Sequence, residues 1–183
     1  VLRGVQHQPD SQEREVLVRE AMARRGLVLE PEFVVDGGFA RMQAYQGLTA
    51  LLRSRRDLDA VIAFNDRSAI GAADALRQFG LRVPEDVVLT GFDDEPVAAL
   101  LDPPLTSVNQ NLRAQGVAAA QLLVEHLRGG PAEPERVVPT QVVVRASTER
   151  TSAPASAPHP LLDATIGDIT LAMSREFLDC ESV

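Results

Sequence analysis

The sequence predicts an α/β fold, an open parallel β-sheet flanked by helices on both faces. Apolar, β-branched runs alternate with segments of helical apolar spacing, and the connections between them are short. The runs AVIAF at 60–64 and VVLTGF at 87–92 are almost continuously apolar, as strands covered on both faces must be. Both runs stop on polar pairs, Asn65–Asp66 and Asp93–Asp94.

The elements follow in order. The opening VLRGV reads as the end of a strand turning at Gly4, so further residues are expected upstream. A polar loop leads into a helix over 11–25, with Val16, Leu17, Ala21 and Met22 at helical spacing and Gly26 as its C-cap. PEFVVDGGF at 31–39 is a short strand and a glycine turn. A helix over 41–53 carries Met42, Tyr45, Leu48, Leu51 and Leu52 on one side. DAVIAFND is a strand, and 67–79 a helix that ends at Gly80, with Pro84 barring its continuation. DVVLTGFDD is the next strand.

Beyond the acids, EPVAALLDPPLTSVNQN reads as a loop with a short strand at 105–108. A helix over 112–128 ends at Gly129–Gly130–Pro131, and a last strand spans 140–145. The Ala/Ser/Pro-rich stretch 149–160 is expected to be a flexible linker. Residues 161–183 hold a C-terminal helix with Leu162, Ile166, Ile169, Met173 and Phe177 near heptad spacing, suited to oligomerisation or signalling.

Right-handed crossovers put every parallel strand's C-terminal end on one edge of the sheet. Asp36, Asn65, Asp66, Asp93 and Asp94 therefore gather on a single rim, where open α/β sheets bind ligands. Asp66 and Asp94 each precede a helix or turn and suit N-caps. Asn65 and Asp93 are left to hydrogen-bond a hydroxylated ligand.

Composition narrows the function. A net charge of −8, from 18 basic and 26 acidic residues, disfavours direct grip on nucleic acid. The single Cys180 makes neither an intrachain disulfide nor a cysteine zinc site. His7, His126 and His159 lie far apart in the sequence. Neighbouring residues of an extended chain point apart, so Asp93 and Asp94 are poorly placed to chelate one ion. GxxxxGK[ST], GxGxxG and GxSxG motifs are absent from the sequence. The expectation is no enzyme, no metal and no cofactor. No apolar run reaches membrane-spanning length, and a cytoplasmic location is expected.

NDRSAIGA at 65–72, GLRVPEDV at 80–87, GFDD at 91–94, PPLTSV at 103–108 and VVRAST at 143–148 occur in order. Together they resemble the effector-binding domain of the LacI/GalR family of bacterial transcription regulators, over residues 1 to about 148. The resemblance implies a periplasmic-binding-protein-like, flavodoxin-like lobe and part of a second lobe. It assigns 1–104 and 140–148 to the C-terminal lobe and 105–139 to the N-terminal one. It implies a small sugar-like effector, lobe closure relayed to an N-terminal helix-turn-helix, and contact with DNA only through that missing head.

Position by position, the resemblance places a hydroxyl- or carboxylate-binding arginine at Arg14. The surrounding REVLV has Leu17 and Val18 where the family has glycine and an aromatic. It places a sugar-stacking aromatic at Phe39, polar ligand contacts at Asn65 and Asp93, and a wall residue at Leu112. It also implies a homodimer, because the matching helix and loop pair across a two-fold axis. Here Leu76 and Leu101 are expected in the core. Ile70, Ala98, Ala99 and Leu100 exceed what one subunit's core requires and form the expected contact. Two other readings stand beside this one: the input domain of a signalling protein with its output beyond the C-terminus, and a free solute-binding protein.

Overall fold

The computed structural model describes residues 1–130 and 135–150. The expected helix over 161–183 and all but the first two residues of the 149–160 linker lie outside the described residues.

Side-chain alternation explains the layering. Strand β3 (Ala60–Ile62) sends Val61, and Ala63 just beyond it, into one apolar cluster, and sends Ile62 and Phe64 into another. The first cluster lies beneath α2 (Arg41–Leu52) and α3 (Asp66–Gln78), through Leu48, Leu52, Ala72 and Leu76. The second lies beneath α1 (Pro9–Ala23), through Val18 and Ala21. Helices therefore cover both faces of the sheet, as the sequence predicts.

The sheet is mostly parallel. β3 pairs with β4 (Val88–Asp93), and β4 with β5 (Thr106–Asn109), all parallel. At the other side β1 (Leu2–Arg3) pairs with β2 (Val35–Asp36). Leu2 makes a parallel bridge to Ala63, and its carbonyl accepts from the Phe64 amide at 3.0 Å, joining the two sets. The exception is β6 (Gln141–Val143), antiparallel to β5.

Local details depart from expectation in readable ways. Pro9 starts α1 two residues early, since its fixed φ and missing N–H suit the first helical position. Val16 is exposed and Val18 is fully buried in its place. Met42 points to solvent. Gly71 permits the close approach of α3 to α2, because a Cβ there would overlap the Arg41 carbonyl.

The lobe boundary expected at residue 105 moves. Leu105 is buried in the main core, and β5 pairs in register with β4 from Thr90↔Thr106 to Asp93↔Asn109. Chain 105–109 is thus an interior strand of this sheet. Beyond it, α4 (Leu112–Leu127) has no buried residue and exposes Val117, Leu123 and Leu127. The chain returns through β6 and a short 3-10 turn, Ala146–Thr148. There the Ser147 hydroxyl donates to the Leu89 carbonyl at 2.7 Å and accepts from the Thr106 amide at 2.8 Å.

Ala98 is also corrected. The segment Pro96–Leu100 is a 3-10 turn that points Ala98 inward, where it is fully buried and its carbonyl accepts from the Leu105 amide at 2.8 Å. It belongs to the core and not to a surface patch.

Candidate functional site

The rim acids separate by what holds them. Asp36 pairs with Arg3. Asp94 accepts from Asn109 Nδ2 at 2.8 Å and from the Arg145 guanidinium at 2.7 Å, while its own amide donates to Ser107 Oγ at 3.0 Å. These bonds tie a turn to β5 and to the residue that precedes the Ala146–Thr148 turn. Asp94 caps no helix, contrary to expectation, since the following 3-10 turn has no side-chain cap.

Asn65 takes the capping role expected of Asp66. Asn65 is the N-cap of α3, its Oδ1 accepting from the Ser68 amide at 3.0 Å. Its Nδ2 donates to the Phe39 carbonyl at 3.1 Å. Asp66, inside the first turn, is wholly buried and accepts from Ser107 Oγ at 2.6 Å and the Glu95 amide at 2.7 Å. Burial pushes the Asp66 carboxyl up to about 6, against the pull of those two hydrogen bonds. Gly91 opposite has no room for a side chain, because a Cβ would overlap Asp66 Oδ1.

Asp93 is left facing the rim. Gln110 Nε2 donates to its Oδ1 at 2.6 Å, and burial raises its pKa against the opposing effects of Gln110 and Arg14. Arg14 comes from α1, where one N–H donates to the Phe64 carbonyl at 2.6 Å. Its guanidinium lies 3.8 Å from the Phe92 ring centre and 5.9 Å from that of Phe39. Desolvation lowers the Arg14 pKa, with Asp93 pulling it back, yet an arginine stays charged at any relevant pH. Phe39 sits at φ 57° behind Gly38, and its ring covers Gly4, where a Cβ would overlap it.

Arg14, Phe39 and Asp93 are therefore brought together, with Asn65 holding the Phe39 turn from behind. Leu112 stands at the start of α4 and is 61% exposed. Sequence reasoning missed Gln110 and Phe92. Gln110 lies one residue past β5 on the same rim, which was the available signal; Phe92 was legible only as a core residue. Beside them, between α4 and residues 135–140, lies a cavity of about 290 Å³ lined by Phe92, Gln110, Gln115, Leu122 and Val138.

The group can bind but shows no nucleophile–base pairing. A partly buried cation with a forked donor set faces a carboxylate acceptor, and two aromatic rings lie alongside. Among the described residues no cluster of three or more His, Cys, Asp or Glu could hold a metal ion, and no helix is long and apolar enough to cross a membrane.

A family model described as a periplasmic binding protein-like domain matches residues 1–148. The HTH-type transcriptional regulator reg1 of Streptomyces lividans is 40% identical over 143 residues, covering 78% of this chain and 39% of the regulator. The chain thus spans about two fifths of the length of this curated relative. A solved complex of the transcriptional regulator CelR with cellobiose is 37% identical, with a TM-score of 0.74 over 80% of this chain and 45% of the other. The lac repressor dimer bound to operator and an anti-inducer superposes with a TM-score of 0.73 at 25% identity, over 80% of this chain and 50% of the repressor chain. By motifs, topology and matched residues, the chain belongs to the periplasmic-binding-protein-like family, and over this region it is similar to the effector-domain part of LacI-family transcriptional regulators.

Proposed function

We propose that this chain senses a sugar-like effector at the rim formed by Arg14, Phe39 and Asp93, with Leu112 contributing to the wall of the cleft. The observation that carries the reading is the juxtaposition of Arg14 and Asp93. Each is drawn from water, each influences the other's charge, and the Arg14 guanidinium lies against the Phe92 ring. Asn65 acts through Phe39. The cellobiose complex of CelR supports a saccharide as the effector class.

The effector acts by differential affinity for two lobe arrangements. The uncovered apolar residues of α4 support a second lobe, to which the segment following Asn109 up to residue 139 contributes. Closure is relayed to a helix-turn-helix outside this chain, in a cytoplasmic regulator without enzymatic activity or cofactor. A homodimer forms through Ile70, Ala99 and Leu100. Ile70 lines a groove of about 640 Å³ with Ala73, Val97 and Leu101, and Leu100 is 82% exposed beside it. The dimeric lac repressor supports that assembly.

Calorimetric titration of the full-length protein with cellobiose, lactose and maltose tests the reading. Arg14→Ala and Asp93→Ala each weaken binding by about 1–3 kcal/mol while the protein stays folded. Unchanged affinity in both variants removes these residues from the site, and no binding of any disaccharide removes the saccharide class.

A further inference from the structure

Asp93 and Asp94 are consecutive non-glycine residues with φ of 111° and 54°. Side chains rarely adopt such backbone, and it persists only where the surroundings over-determine it. The surroundings here hold Asp94. Its carboxylate, 12% exposed, meets the Arg145 guanidinium, itself 18% exposed, from 51 residues further along the chain.

Arg145 is well fixed for this task. Its amide donates to Thr106 Oγ1 at 2.8 Å, and a second arm of its fork donates to the Leu105 carbonyl at 2.7 Å. One guanidinium thus links the entry of β5 to the turn after β4. It is also the cation paired with Asp94 in a neighbourhood that gathers Asp66, Asp93 and Glu95.

We propose that Arg145 is a positioning residue for effector recognition: its ion pair with Asp94 holds the turn that presents Asp93 to Arg14 and the ligand. That Asp93 receives the effector rests on the function proposed above. The turn has other ties, from Ser107 and Asn109 to Asp94 and from Glu95 to Asp66. Loss of Arg145 therefore misaligns Asp93 without dissolving the fold. Lysine cannot replace it fully, because a single ammonium lacks the fork that serves Leu105 and Asp94 together.

The test uses Arg145→Met and Arg145→Lys in the full-length protein, well below their melting temperatures. Cellobiose, lactose and maltose serve as probes, and the Asp93 carboxyl signal is followed by NMR through a pH titration. Arg145→Met weakens binding of the recognised sugar by roughly tenfold or more, and Arg145→Lys recovers part of the loss. The Asp93 titration moves in both variants. A lower melting temperature with affinity within about twofold of wild type and an unmoved Asp93 titration overturns the proposal, leaving Arg145 a structural residue. Should the wild type bind none of the three sugars, the saccharide reading fails while the Asp93 titration still decides the positioning role. Where Arg145→Met does not fold, Arg145→Lys is read by the same two criteria.

Discussion

Asn65 binds two parts of the chain at once: its Oδ1 caps α3 at the Ser68 amide, 3.0 Å away, and its Nδ2 holds the Phe39 carbonyl at 3.1 Å. The cap and the Phe39 turn thus share one side chain. These two duties separate by substitution. Asn65→Ala loses both and costs about 1 kcal/mol of stability in urea denaturation. Asn65→Asp keeps the cap acceptor but loses the donor to Phe39. It retains most of the stability and loses effector affinity; equal affinity for wild type and Asn65→Asp would break the link to Phe39.

Asp66 makes stability depend on pH. Its folded pKa, about 6, lies above the ordinary 3.8, so between those values the folded state holds more protons than the unfolded one. The contribution of Asp66 is therefore fully present at low pH and is lost as pH rises from about 4 to 6, by roughly 3 kcal/mol. Urea denaturation at steps across this window reads the slope. Asp66→Asn removes this component, so the wild-type and variant curves converge toward low pH apart from a constant offset. Parallel curves would exclude Asp66 as the titrating group.

Gly91 is required by contact. A methyl group there would overlap Asp66 Oδ1 and come within 2.9 Å of Leu105 Cδ2. Gly91→Ala destabilises the fold by about 1–3 kcal/mol or more, because both neighbours are buried and cannot retreat freely. Thermal melting at matched pH measures it, and a neutral result would mean the β4–α3 packing is looser than described.

The surface patch and the core next to it respond differently to a charge. Ile70→Glu and Leu100→Glu each give a folded monomer in light scattering, since both side chains reach the surface. Ala98→Glu instead unfolds the protein, because Ala98 has no exposed surface and packs in the main cluster. A folded dimer from both Ile70→Glu and Leu100→Glu would place the interface elsewhere.

Much of this architecture was legible in the sequence because it follows from local rules. AVIAF alternates its side chains between two apolar clusters simply because a strand has period two. Polar residues after strands fall on one rim because crossovers have one hand. The helix starting near Arg41 and the strand ending at Asp93 needed no more than spacing and breakers.

What the sequence left open lies between neighbours of like chemistry. Asn65 and Asp66 are both good caps, and Asp93 and Asp94 are identical side chains. Their roles were decided by Ser107 and Arg145, 41 and 51 residues away, which claim Asp66 and Asp94 and leave Asp93 to Gln110 and Arg14. The same is true of Ala98, whose inward turn depends on Leu105, and of β6, whose antiparallel direction depends on where the chain returns. Local propensity acts over a few residues, whereas a buried carboxylate takes whichever partner the completed fold brings within hydrogen-bond reach. The sequence by itself determined the sheet and its rim, and tertiary contact decided which acids on that rim are tied to partners within the fold.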